Sequence, residues 1–244
     1  MSQKVVLVAG GTGNVGSFLV RGLLEQGASV IVPSRSEESL VSLRNDLQQS
    51  VDNGLLINLH TVVGNVGEES EAEKVRDEIY EAFGAPDAVA ASLGGFVPAP
   101  SLVQASTEDL KRVLTGTLLS HFSAARTFLP ELAEHGGLYL FINGPLAFEP
   151  WKNSQSGLVS TVSAAQHMLF RALSQEFEDL PVTVAELVNY AYVRERKTQP
   201  SSPIPGEAVG TFVAHLVLGS AELEHGATIH LKSAKQLDEL GISA

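Results

Sequence analysis

A short apolar run, Lys4–Ala9 (KVVLVA), passes directly into Gly10-Gly11-Thr12-Gly13-Asn14-Val15-Gly16, and a stretch of helical period follows at once. Few local patterns narrow the choice of fold as far. A strand that is apolar on both faces must be covered on both, as parallel strands between helices are. The glycines match G-x-G-x-x-G through Gly11, Gly13 and Gly16, and G-x-x-G-x-x-G through Gly10, Gly13 and Gly16. In either register one glycine permits a tight turn, one admits a pyrophosphate close to the backbone, and one lets helix and strand pack closely. The amides that open the helix then face the phosphates. A turn of this kind between a first strand and a first helix predicts a dinucleotide site.

The rest of the chain repeats the alternation. Val15–Gln26 places Val15, Phe18, Leu19, Leu23 and Leu24 on one helical face, and Gly27 ends the helix. Ser29–Pro33 is the second strand, and Ser36 caps a helix with an inward stripe of Leu40, Leu43 and Leu47. Leu55–Val63, Ala88–Ser92, Leu138–Asn143, Val182–Val188 and Ala227–Leu231 read as further strands. Glu71–Phe83, Thr107–Leu132, Leu158–Phe177 and Glu207–Gly219 read as helices. This order predicts an α/β fold of the Rossmann type: a doubly wound, mostly parallel sheet of seven strands with helices on both faces. It predicts one NAD(P)-binding domain over residues 1–244. Thr198–Gly206 (TQPSSPIPG) is too short to separate domains and is expected to be a mobile loop over the ligand cleft.

The net charge of −12 argues against nucleic acid or an anionic membrane surface as a partner. The chain has no cysteine, which removes disulfides, thiolate nucleophiles and cysteine metal sites. Its seven histidines show no ligand-spaced cluster, so no metal site is expected. With no secretory signal pattern and no apolar run near the roughly 20 residues of a membrane span, the expectation is a cytoplasmic protein.

Selectivity for the dinucleotide is set at the end of the second strand. An acidic residue roughly 20 positions beyond the turn would bind the ribose 2′-hydroxyl of NAD. The strand ends instead Pro33-Ser34-Arg35-Ser36, with no carboxylate before Glu37. The guanidinium of Arg35 matches a 2′-phosphate and Ser34 offers a hydroxyl, so NADP is expected in preference to NAD.

With these elements in place the chain resembles the short-chain dehydrogenase/reductase family from end to end. Asn65-Val66 stands where that family has an Asp-Val that contacts adenine. Ala91-Ser92-Leu93-Gly94 stands in place of its Asn-Asn-Ala-Gly, and Gly226-Ala227-Thr228-Ile229 resembles the approach to its last strand. The resemblance implies cofactor contacts at Asn65, Val66, Ala91, Ser92, Leu93, Gly94 and Asn143. It also implies a homodimer or homotetramer joined through the two long helices.

The departures bear on the chemistry. The family uses a Ser after the fifth strand and a Tyr-x-x-x-Lys on the next helix, supported by a helix Asn. At those places stand Asn143-Gly144-Pro145, Val159, Ser163 and Thr117. A valine has no proton to transfer, and a serine carries no charge to lower a neighbour's pKa. The catalytic residues are therefore unknown. Tyr190 or Tyr192 with Lys152 offers a substitute proton donor, although the simpler reading makes Trp151 and the two tyrosines cleft walls and leaves Lys152 solvated. Three readings remain open. One is an oxidoreductase with an unorthodox proton donor, or with a quinone-like hydride acceptor that needs none. The others are a silent NADP(H)-binding sensor or interaction module, and a fold that has lost its cofactor.

Overall fold

Alternate side chains of each central strand enter opposite cores. Val6 and Val8 pack with Leu19, Leu23, Leu43, Val209 and Val213 on one side of the sheet. Leu7 and Ala9 pack with Ile79, Phe128, Leu129 and Phe170 on the other. Period-two burial on two helix-covered faces is the physical reason these runs form parallel strands. The computed structural model describes residues 3–152, 155–219 and 223–239.

The strands are β1 Val5–Ala9, β2 Ser29–Ser34, β3 Leu59–Val63, β4 Ala88–Ala91, β5 Gly137–Asn143, β6 Val182–Asn189, β7 Val193–Arg194, β8 Lys197–Thr198 and β9 Thr228–Leu231. The helices are α1 Gly16–Glu25, α2 Glu37–Gln48, α3 Glu69–Phe83, α4 Thr107–Leu114, α5 Ser120–His135, α6 Gly157–Glu176, α7 Gly206–Val217 and α8 Lys235–Glu239. Seven strands form one parallel sheet in the order β3-β2-β1-β4-β5-β6-β9. The order reverses between β1 and β4, so a crevice opens at their carboxyl ends, where doubly wound sheets bind ligands.

Ser36 caps α2 as expected, accepting the Ser39 amide at 3.2 Å. Three expectations need correction. Leu55–Asn58 is a 3₁₀ turn ahead of β3; its apolar LLIN run imitates a strand start. The helix expected over Thr107–Leu132 runs on to His135 and contains a π turn, Thr115–Leu119, between α4 and α5. The stretch expected as a mobile loop begins inside a small antiparallel hairpin, β7–β8. It is then pinned by Gln199 N to Tyr192 O at 2.7 Å, Ser202 Oγ to Ile204 O at 2.6 Å and Gly206 N to Thr198 Oγ1 at 2.8 Å.

Candidate functional site

The glycine turn is shaped by contacts that no larger residue tolerates. Gly10 has φ +82°, and a Cβ there would lie 2.2 Å from the Ser92 carbonyl oxygen. A Cβ on Gly16 would lie 2.1 Å from the Gly10 carbonyl oxygen. The turn closes through Gly13 N to Gly10 O at 2.9 Å. Beyond it, the amides of Asn14 and Val15 have no hydrogen-bond partner among the described residues, and no side chain caps α1. Unpaired amides at a helix start form an anion site. They border a cavity of about 990 Å³. This turn fits a dinucleotide pyrophosphate, which Asn14 and Val15 would hold by their N–H groups.

The cavity brings together Gly13, Asn14, Val15, Ser92, Leu93, Gly94 and Asn143. The remaining residues of the turn, Gly10, Gly11, Thr12 and Gly16, build it from behind. Ser34 lies beside it, with its Oγ 3.4 Å from Thr12 Oγ1. Arg35 is exposed and without an ion pair among the described residues, so its guanidinium is available to an incoming anion. Ala91, Val66 and Asn65 lie off the cavity lining as well. Ala91 is fully buried in β4, and Val66 packs in the core beside Ile31 and Val62. Asn65 folds back to accept the Gly67 amide at 3.0 Å.

Thr117, Asn143, Val159 and Ser163 all line the same cavity. The π turn aims Thr117 at the loop after β4: a Cβ on Gly94 would lie 2.4 Å from Thr117 Oγ1. Asn143 is held from three sides. Its Nδ2 donates to Ser163 O at 3.2 Å and to Glu186 Oε1 at 2.9 Å, and its Oδ1 accepts the Gly144 amide at 2.8 Å. The carboxylate of Glu186 is fully buried, and its Oε2 lies 2.6 Å from His167 Nδ1. A buried carboxylate bonded to both an amide and an imidazole has its lone pairs engaged. It fixes Asn143 from behind the cavity. No sequence spacing pointed to Glu186.

Tyr190 turns away, its hydroxyl 3.1 Å from His230 Nδ1, and does not line the cavity. Burial and the nearby charge of Glu149 raise the Tyr190 pKa. Tyr192 does line the cavity, with Trp151 and Phe96, whereas Lys152 does not. Behind the β4 loop, His121 is fully buried, its Nε2 3.2 Å from Leu93 O. Burial holds its pKa near about 4, against the opposing pull of the Leu93 carbonyl. Among the described residues the close group of metal-type ligands is Glu131, Glu134 and His135, at the end of α5 and outside the cavity.

Sequence reasoning missed Arg196. It sits at the tip of the β7–β8 hairpin, where Glu195 and Arg196 have φ +51° and +56°. Its Nε and Nη2 donate to Thr12 O at 3.2 and 3.0 Å, and its amide donates to Asn14 Oδ1 at 3.1 Å. Its Nη1 reaches Ser42 Oγ at 3.1 Å and pairs with Asp46. Val193 and Arg194 of the hairpin line the cavity. Arg196 thus fastens the roof of the cleft to the glycine turn.

Residues 4–198 match the family model for short chain dehydrogenase. L-fucose dehydrogenase of Mus musculus is 26% identical over 136 residues, 56% of this chain and 46% of that protein, so the match spans under half the relative's length. An NADPH-dependent pterin aldehyde reductase of Arabidopsis thaliana is 25% identical over 189 residues, 76% of this chain and 74% of the relative. In three dimensions the chain superimposes on a gluconate 5-dehydrogenase from Burkholderia cenocepacia, solved with NADP and tartrate. The TM-score is 0.80 at 16% identity, over 97% of this chain and 96% of that one. The seven-stranded parallel sheet, the glycine turn and the matched family model together place this chain in the short-chain dehydrogenase/reductase family.

Proposed function

We propose that the protein is an NADP(H)-binding oxidoreductase of this family, a single NAD(P)-binding domain whose proton chemistry departs from the family pattern. The observation that carries the cofactor half is the pair of unpartnered amides of Asn14 and Val15, which face the cavity at the start of α1. Partial positive charge at a helix N-terminus favours an anion there. NADP is preferred to NAD because Arg35 is exposed and unpaired beside Ser34, where NAD selectivity would call for a carboxylate. When bound, the dinucleotide supplies or accepts a hydride. Asn14 and Val15 hold its phosphates, Asn143 and Thr117 offer neutral dipoles at the reacting end, and the apolar Val159 and Leu146 keep water away.

The test is calorimetric titration with NADPH and NADH side by side. Binding of NADPH at least about tenfold tighter than NADH is expected, a difference of about 1.4 kcal/mol, and Arg35→Ala should erase it. Equal affinities would remove the NADP preference, and no binding of either would remove the reading.

A silent NADP(H)-binding sensor or interaction module is the second reading. It is favoured by Val159 and Ser163, which line the cavity and supply neither a proton nor a charge. The acidic, cysteine-free composition supports a cytoplasmic setting. The exposed apolar residues of the two long helices support assembly of two or four copies through them.

A further inference from the structure

Two independent features of the cavity bear on what the reduced cofactor would act upon. The first is the lack of a lysine-assisted proton donor: among the described lining residues Arg194 is the only charged one, Val159 and Ser163 offer neither a phenol nor a lysine, and the phenol present, Tyr192, has no lysine in the lining beside it. The second is an aromatic frame assembled from three separate loops. Phe96 and Trp151 lie 5.8 Å apart, tilted by 33°, and Trp151 meets Tyr192 edge-on at 5.7 Å. Phe96 is 50% exposed and Trp151 41%. Large rings left open to water at a cleft mouth mark a surface that a planar apolar ligand would cover.

We infer that this frame is the acceptor subsite, and that it takes planar quinones. The inference rests on the oxidoreductase reading above for its redox step, though not for its binding step. A ketone reduced by hydride addition becomes a strongly basic alkoxide, which calls for a proton donor poised at its oxygen, and Tyr192 has no lysine in the lining to assist it in that role. A quinone differs: hydride from the reduced nicotinamide, carrying two electrons and one proton, yields a hydroquinone anion, and solvent water supplies the second proton. The cofactor is oxidised, the quinone is reduced, and no protein acid is consumed. Phe96, Trp151 and Tyr192 select the ring by offset or edge-to-face contact.

Trp151 is the single tryptophan of the chain, so its fluorescence reads the subsite directly, with or without cofactor. Menadione should quench it saturably, and cyclohexanone at equal concentration should not. Phe96→Ala, at an exposed loop position that leaves the core intact, should weaken the menadione dissociation constant by up to about tenfold. With NADPH present, menadione should be reduced, and Phe96→Ala should raise KM more than it lowers kcat. Absent or unsaturable quenching, or quenching unchanged by Phe96→Ala, overturns the subsite whether or not NADPH binds. Quenching without NADPH binding overturns the oxidoreductase reading and the reduction step, and leaves the quinone subsite standing. Quenching with NADPH bound but not oxidised overturns the reduction step alone.

Discussion

A neutral imidazole locked behind the cofactor loop makes the cleft sensitive to acid. His121 is fully buried, stacks on Phe141 at 5.6 Å and has its pKa lowered to about 4 by burial. Unfolded histidine titrates near 6.5. Between these values the unfolded chain binds the proton and the folded one does not, so stability is highest above pH 6.5 and falls as pH drops toward 4. The full difference is about 3 kcal/mol. Urea denaturation of the parent at pH 7 and pH 4.5 should show this loss, and His121→Gln should flatten it. An unchanged slope would mean that the proton goes elsewhere. Gly16 acts through space instead of charge. Gly16→Ala would drive a methyl against the Gly10 carbonyl and should cost about 1–3 kcal/mol as overpacking. Since the turn must move to relieve the clash, calorimetry should show NADPH affinity falling at least about tenfold; a thermal shift with affinity intact would separate packing from binding.

At the scale of elements the β7–β8 hairpin carries most of what was hidden. Two non-glycine residues with positive φ at its tip, Glu195 and Arg196, suit a two-residue hairpin turn that usually favours Asn-Gly. Such strain persists where surrounding contacts over-determine it, and the Arg196 bonds to Thr12 and Asn14 and its pairing with Asp46 do so. The fastening lies across the glycine turn, so opening it should precede both entry and exit of a dinucleotide. Arg196→Ala is expected to speed NADPH association and dissociation together, each severalfold, in stopped-flow fluorescence. Faster dissociation alone would show a contact with the cofactor rather than a gate. None of this was legible in the sequence, because Arg196 and Thr12 are 184 positions apart and no local period links them. The turn Gly10–Gly16 was legible, since strand, glycines and helix are contiguous and each has its own signature. The strands were legible because burial on both faces forces unbroken apolar runs. The same rule misled at Leu55–Asn58, where an apolar run of the right length folds as a 3₁₀ turn. Trp151 and Tyr192 were legible as cleft walls from their places after the fifth and sixth strands, whereas Phe96 was not, because only the sheet order brings its loop beside theirs.

On the scale of the whole molecule, charge and exposed apolar surface pull in different directions. A net charge of −12 repels copies of the chain from one another at long range, and salt screens that repulsion within about 10 Å at 0.1 M. Against it stand Leu119 in the π turn, Phe122 on α5 and Met168 on α6, which are 51%, 48% and 64% exposed. Burying the half of each side chain that is still exposed contributes about 1 kcal/mol apiece, roughly half the value for a wholly exposed one, and the three per subunit oppose the screened repulsion once copies meet. None of the three lines the cavity, so assembly and cofactor binding are separable. Light scattering at moderate salt should give a mass at least twice the 25.9 kDa of one chain. Phe122→Glu places a charge in the apolar contact, where an unpaired carboxylate is costly to desolvate, and should return the mass to one chain while NADPH titration is unchanged. Lower salt should favour the monomer in the parent, because the charge term then acts over a longer range. A parent already monomeric at working concentration, in low and moderate salt alike, would leave the two long helices as outer walls of the fold and nothing more.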